Sequence, residues 1–334
     1  MLDVTRLRVL VAVARYGSVT GAARALNYAQ PSVSHHLARL ESETGTKLIQ
    51  RAGRGVRLTD AGRLLAERAA EVIGRLDAAE SELAAYTGLR AGRLRLAAFP
   101  SALATIVPSA AVYLRSANTE LDLRLTEAEP PEALRMLRAG YVDVALVFRY
   151  SPSGVSGDDA VMLPAAAAEE DGGIDLTEGL RERLLLDEPV YLITAAPRPE
   201  CFSDTAMEVP ELAEFARCRW IAGCDRCRAY LVTQCALAGF TPKIAFTTDD
   251  FVAVQALVAA DLGVSTLAGM CLRAARHPGI MSTPLPGTRR FVYAVRYGDP
   301  PDPPAVTELI DALQAAAESA AVSVDSAGPG RRGG

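Results

Sequence analysis

The sequence predicts a multidomain α+β chain: a small helical head with a β wing, a long linking helix, and a larger α/β body. Three observations carry that expectation. The N-terminus is basic and the rest of the 334 residues acidic. A heptad-spaced apolar stripe runs from Leu65 to Tyr86. Beyond it, strand-like and helix-like runs alternate, as in sheets covered by helices. The expected divisions are 1–58 for the head, 59–90 for the linking helix, 91–322 for the body and 323–334 for a disordered Gly-rich tail.

The head comes first. Residues 1–58 hold nine lysines and arginines against Asp3, Glu41 and Glu43, a local +6 in a chain of net charge −5, which leaves −11 for the remainder. A basic module on an acidic body is the charge pattern of a nucleic-acid-binding unit attached to something else. Arg6 to Tyr16 reads as a helix ended by Gly17, and Ser18 is placed to cap a second helix, Val19 to Leu26. Asn27 ends that one. Gln30-Pro31 opens a third helix, with proline in the first turn where its missing N–H costs nothing, and Gly45 closes it.

On the third helix Val33, Leu37 and Leu40 form the buried stripe. Gln30, Ser32, Ser34, His35, His36 and Arg39 are left on the outer face and first turn. This is helix-turn-helix geometry, in which the second helix enters the major groove by its N-terminal end. Gln pairs with adenine edges, and Ser and His donate to bases or phosphates. Lys47 to Arg51 and Val56 to Leu58, joined by a turn at Gly53-Arg54-Gly55, read as a wing whose arginines, Arg51 and Arg54 among them, would lie along phosphates or in the minor groove. The paired histidines fit a DNA role better than buried packing. A metal role is disfavoured, because adjacent helical side chains diverge by about 100°.

In the linking helix Leu65, Ala69, Val72, Leu76, Ala79, Leu83 and Tyr86 follow a 4-3-4-3-4-3 spacing. Such a stripe buries little unless a second helix covers it, so a homodimer is expected. A helix lying on its own domain is the competing reading. Two heads on one dimer would read two half-sites of an inverted repeat in double-stranded DNA.

These motifs together resemble a known family. Ser18-Val19-Thr20, Ala22-Ala23, Leu26, Gln30-Pro31-Ser32-Val33-Ser34, Leu40-Glu41, Gly45, Leu48, Arg51, Leu58-Thr59 and Gly62 resemble the N-terminal signature of LysR-type transcriptional regulators. The resemblance implies an N-terminal winged helix-turn-helix in which Thr20, Gln30, Pro31, Ser32, Ser34 and Arg51 contact DNA. It also implies a dimer or tetramer, with RNA polymerase as a further partner. His35 departs from the family, where Arg, Lys or Gln is common.

In the body, candidate strands are 94–98, 121–126, 142–148, 189–195, 219–222, 243–246, 263–267 and 291–297, with helices over 102–116, 131–139, 227–238 and 251–260. The pattern predicts largely parallel sheets. No Gly-rich nucleotide fingerprint or P-loop is present. The resemblance continues through Leu94-Arg95-Leu96, Pro108, Leu137-Arg138-Ala139-Gly140, Asp143 to Leu146, Val258 and Gly263-Val264-Ser265. It implies a two-lobed α/β effector-binding domain, similar to a periplasmic binding protein, with a small-molecule effector in the cleft and no other cofactor. Ser101, Phe148, Arg149, Cys224, Cys227 and Thr248 would line that cleft, with Ser101 and Arg149 holding an anionic or hydroxylated ligand. Relatives usually carry Gly at 261, where this chain has Asp261. Residues 150–188 read as an acidic loop.

Five of the six cysteines fall between 201 and 235. Cys224-Asp225-Arg226-Cys227 opens a helix, where the dipole favours thiolate. Small-residue packing, a thiol redox switch using Cys224, Cys227 and Cys235, and a zinc site are the three readings. Packing leads, and no metal site is expected. A cysteine enzyme is disfavoured, since only His277 remains as an imidazole partner, so no enzymatic activity is expected. With no bilayer-length apolar run and no export signal, the expected place is the cytoplasm, off the membrane.

Overall fold

The computed structural model describes residues 2–52, 55–86, 93–117, 121–151, 179–196, 212–298 and 300–325. In the head, α1 (Val4–Tyr16) starts where the Asp3 carboxylate accepts the Arg6 N–H at 3.1 Å, and Gly17 ends it at φ 62°. The Ser18 hydroxyl caps α2 (Val19–Leu26) by accepting the Gly21 N–H at 2.9 Å, and Asn27 stops it at φ 54°. α3 (Gln30–Thr44) ends at Gly45, φ 67°. These left-handed stops suit glycine and asparagine and turn the chain sharply. Leu7, Leu10, Ala22, Val33, Leu37 and Leu40 meet in one core.

The wing is an antiparallel pair, β1 (Ile49–Ala52) and β2 (Gly55–Leu58), with Ile49 opposite Leu58 and Arg51 opposite Val56. The long helix α4 (Asp60–Tyr86) follows at once, and its Ala66, Ala69, Ala70 and Ile73 complete the head core.

The body elements run in this order: β3 (Arg93–Ala98), α5 (Pro100–Leu103), α6 (Ile106–Ala117), β4 (Asp122–Glu127), α7 (Pro130–Arg138), β5 (Val144–Ser151) and β6 (Leu180–Ala195). Then come β7 (Arg219–Ala222), α8 (Asp225–Leu237), β8 (Lys243–Thr247), α9 (Phe251–Ala259), β9 (Val264–Ala268), α10 (Gly269–Ala274), β10 (Ile280–Tyr297) and α11 (Pro304–Asp325). All eight strands join one sheet in the order β4-β3-β5-β10-β6-β9-β7-β8. The first lobe is built on β4, β3 and β5, the second on β9, β7 and β8. The long strands β6 and β10 are common to both.

The sheet is mixed rather than largely parallel. Both lobes keep parallel pairs, but β10 runs antiparallel to β5 and β6, and β6 antiparallel to β9. The reason lies in β6 and β10, which return through the middle of the sheet. Residues 180–188, expected to end the acidic loop, are the first half of β6. Residues 152–178 of that expected loop lie outside the described residues. α11 continues through Asp325, past the expected boundary at 323, and residues 326–334 also lie outside. Among the described residues no helix is long and apolar enough to cross a membrane.

Candidate functional site: basic head and inter-lobe cleft

In the head, Thr20, Gln30, Pro31, Ser32, Ser34, His35 and Arg39 are all exposed, while Val33, Leu37 and Leu40 are buried behind them. The N-cap residue Ala29 offers no side-chain hydrogen bond, so the positive end of α3 is open to an anion. The two histidines divide. His35 points outward, whereas His36 is half-buried with its ring stacked on Tyr28 at 5.9 Å between centroids. Neighbouring side chains on a helix cannot share one face, so His36 braces the turn instead of joining the outer row. Arg51 lies on β1, with its side chain outside the described residues, and Arg54 is wholly outside them.

The wing is tied to α3 by one side chain. The Glu41 carboxylate accepts the N–H groups of Leu48 at 2.9 Å and Ile49 at 3.2 Å, and pairs with Lys47 at 2.7 Å. Burial opposes its ionisation, but these hydrogen bonds outweigh it and hold its pKa below the usual carboxylate value.

The apolar stripe of α4 is not uniform. Ala69 is buried in the chain's own head core and Leu65 half-buried, whereas Val72, Leu76, Ala79 and Leu83 face solvent. Ala69 is therefore taken from the expected intermolecular seam by α1. Tyr86 has its side chain outside the described residues.

Between the lobes lies a cleft of about 50 Å³. The first lobe contributes Phe99, Ser101, Glu129, Phe148 and Tyr150; the second contributes Cys224, Cys227, Thr248, Asp249 and Cys271, with Arg290 at the base. Arg290 is almost fully buried. Its Nε donates to Glu188 Oε1 at 2.7 Å, its Nη2 donates to Ser101 Oγ at 3.2 Å, and the Phe99 and Phe148 rings flank it. Burial, the largest single influence, opposes its charge, but Glu188 together with Tyr150, Cys271 and Cys227 outweighs it and raises the pKa. Glu188 also accepts the Met270 N–H at 2.6 Å and Arg273 at 2.8 Å.

Ser101, expected to meet a ligand, is thus already engaged by Arg290. Arg149 does not line the cleft. It pairs with Glu182 and lies 4.8 Å from the Tyr293 ring centroid. Side chains alternate along a strand, so Phe148 and Tyr150 facing the cleft send Arg149 to the other side. Phe148, Cys224, Cys227 and Thr248 line the cleft.

The sulfur atoms of Cys224 and Cys227 are 2.9 Å apart, and the Tyr150 hydroxyl is 3.4 Å from Cys227 Sγ. The hydrogen bond from Cys224 lowers the Cys227 pKa against the effect of burial, with Tyr150 adding to it, while Cys224 is pushed up. Cys235 does not join them. It packs with Trp220 and Leu231, and burial pushes its thiol up to about 12. Among the described residues no group of three or more His, Cys, Asp or Glu is placed to hold a metal ion.

Glu129, Tyr150, Asp249, Cys271 and Arg290 are cleft residues that the sequence reading missed. Glu129 resembles an ordinary acidic residue before a helix, yet it makes no side-chain cap to α7. Its Oε2 is buried without a hydrogen-bond partner, and burial, with Asp249 adding repulsion, raises its pKa. Tyr150 was within reach of the same alternation that places Phe148.

Residues 4–63 match the family of bacterial regulatory helix-turn-helix proteins of the lysR type, and residues 87–161 and 167–318 match the LysR substrate binding domain. A probable cat1 operon transcriptional activator of Acinetobacter lwoffii is 34% identical over 143 residues, covering 43% of this chain and 47% of that protein. A probable hydrogen peroxide-inducible genes activator of Mycobacterium avium is 32% identical over 212 residues, 61% of this chain and 65% of that protein. The chain thus spans between about half and two thirds of the length of these curated relatives. Full-length OxyR from Pseudomonas aeruginosa shares the fold over 94% of this chain and 98% of its own, with a TM-score of 0.64 at 20% identity. With both family domains matched in order along one chain, this protein belongs to the LysR family of bacterial helix-turn-helix regulators.

Proposed function

We propose that the chain is a DNA-binding transcriptional regulator whose promoter occupancy is set by a small molecule in the inter-lobe cleft. One observation carries the reading: an exposed row of Gln30, Ser32, Ser34, His35 and Arg39 on a helix whose positive end is uncapped. Amide, hydroxyl and guanidinium groups at that place are what base edges and phosphates require. The exposed Val72, Leu76 and Leu83 support a homodimer through α4, and pairing of dimers into a tetramer is compatible with it. Such a dimer reads an inverted repeat in the cytoplasm, with RNA polymerase contacted at the promoter.

Footprinting on the DNA upstream of the protein's own gene tests this. Gln30→Ala combined with Ser34→Ala is expected to weaken binding about 10–100-fold and to leave the fold intact. Unreduced, sequence-specific binding would remove α3 as the reading helix.

A thiol-based redox sensor is the second reading, favoured by the 2.9 Å separation of Cys224 and Cys227 at the start of α8. A hydroperoxide would oxidise the Cys227 thiolate to a sulfenic acid, releasing water or alcohol. The Cys224 thiol would then displace water to close the disulfide. The name of the Mycobacterium avium relative agrees with it. Under this reading peroxide shifts the DNA affinity of the wild type and not of Cys227→Ser; an equal shift in both discards it.

A further inference from the structure

Among the described residues, α4 and α1 meet the body of the same chain around the turn after α7, and two glycines lie at the centre of that contact. Gly74, in the middle of α4, lies against Gly140, in the turn after α7. A Cβ on Gly74 would stand 2.6 Å from the Gly140 nitrogen, and one on Gly140 would overlap the Gly74 Cα. Gly140 also has φ 65°, so glycine is required there twice over. On one side of the contact the Arg15 guanidinium of α1 lies 5.0 Å from the Tyr141 ring centroid. On the other, Arg75 of α4 donates to the Tyr297 hydroxyl of β10 at 2.6 Å.

The turn itself is rigid. Tyr141 N–H donates to the Met136 carbonyl at 2.8 Å and Gly140 N–H to Leu137 at 3.0 Å. Arg95 of β3 donates to the Gly140 carbonyl at 2.7 Å while pairing with Asp143, also at 2.7 Å. Both elements that hold the turn lead to the cleft. β3 runs into Phe99 and Ser101, and α7 begins directly after Glu129. Beside the contact the two bodies stand apart around a cavity of about 690 Å³, with Leu58 and Ala70 on one wall and Met136 on the other. The docking therefore depends on few residues.

We propose that the turn Ala139–Tyr141 is an intrachain latch that holds the head against the first lobe, and that α7 and β3 connect this latch to the cleft. A rigid helix with one end in the cleft and the other on α4 converts a shift of the lobes into release or tightening of the head. Two backbones in direct contact leave little room to slide, so a shift of α7 would separate them rather than repack them gradually.

The test is Gly74→Ala in the full-length chain. Alanine is the better helix former, so α4 itself is favoured, and only the contact is obstructed. Amide hydrogen exchange at residues 139–141 is expected to quicken about tenfold or more, with α3 and β5 unchanged. Arg75→Ala, which removes one flanking contact and no backbone, is expected to give a smaller change of the same pattern. Wild-type exchange rates in both variants would overturn the latch. So would protection in the wild type that disappears on dilution, because the docking would then be between chains. Exchange reads the docking without DNA, so its outcome is distinct from that of the footprinting experiment.

Discussion

Asp261 holds a backbone conformation that its side chain disfavours, with φ 59° between α9 and β9. A left-handed conformation costs an L residue about 1–2 kcal/mol, somewhat less for Asp, and glycine nearly nothing. Glycine would hold the same turn without that strain. Asp261→Gly is expected to stabilise the second lobe by about 0.5–1 kcal/mol after the added freedom of the unfolded chain is counted. The chain's one tryptophan reports on that lobe directly: Trp220 is buried on β7, paired with Val264 three residues after Asp261. Its fluorescence should melt at a higher temperature in the variant. A lower midpoint would mean that the Asp261 carboxylate supplies bonds worth more than the strain.

The wing is an element held by a neighbour's side chain. Two short strands are marginal alone, and here Glu41 on α3 accepts the first two wing N–H groups while Gly62 of α4 packs directly on the Leu48 carbonyl. Because the folded Glu41 pKa is depressed, its stabilisation is fully present above the ordinary carboxylate value of 4.5 and is lost as pH falls through the lower folded value. Glu41→Gln is therefore expected to speed amide exchange at Leu48 and Ile49 near neutral pH, with the difference from wild type vanishing in acid. A difference that persists below the folded pKa would refute the charge-assisted role. The same element shows what a sequence can disclose. α2 and β7 were legible to the residue because caps and short apolar runs bound them. β6 and β10 were legible only in their 189–195 and 291–297 segments. The remainder groups Arg181, Glu182 and Arg183, then three leucines, then Asp187 and Glu188 without two-residue alternation, or carries Pro284, Pro286 and Gly287, and no local pattern of that kind announces a central strand. Of the missed cleft residues, Tyr150 followed from local alternation, whereas Arg290 owes its place to pairing with Glu188 and Ser101, far away in sequence.

At the scale of the molecule, the two lobes are joined by charge as well as by β6 and β10. Glu188 on β6 gathers Arg290 from β10 and both Arg273 and the Met270 N–H from α10, and Arg290 continues to Ser101 in the first lobe. Glu188, Arg290, Ser101 and Met270 are buried, Arg273 is partly exposed, and Arg290 and Ser101 line the cleft. A buried pair of this kind adds little net stability over apolar residues of the same size, yet removing one partner strands the other without water. Glu188→Gln should therefore cost about 3–5 kcal/mol, lowering the melting temperature of the body by roughly 6–20 °C. Glu188→Met with Arg290→Met should regain much of that loss, since the fully buried charge leaves with its partner and the Arg273 left behind is partly exposed to water. If the double variant recovers its melting temperature, the buried charge is there to fix the angle between the lobes rather than to hold them together. If a ligand in the cleft acts on the head as proposed above, that angle is what it must change, and the recovered variant should be stable and unresponsive. A double variant as unstable as Glu188→Gln would instead make the cluster a plain structural tie and leave the lobe angle to the strands.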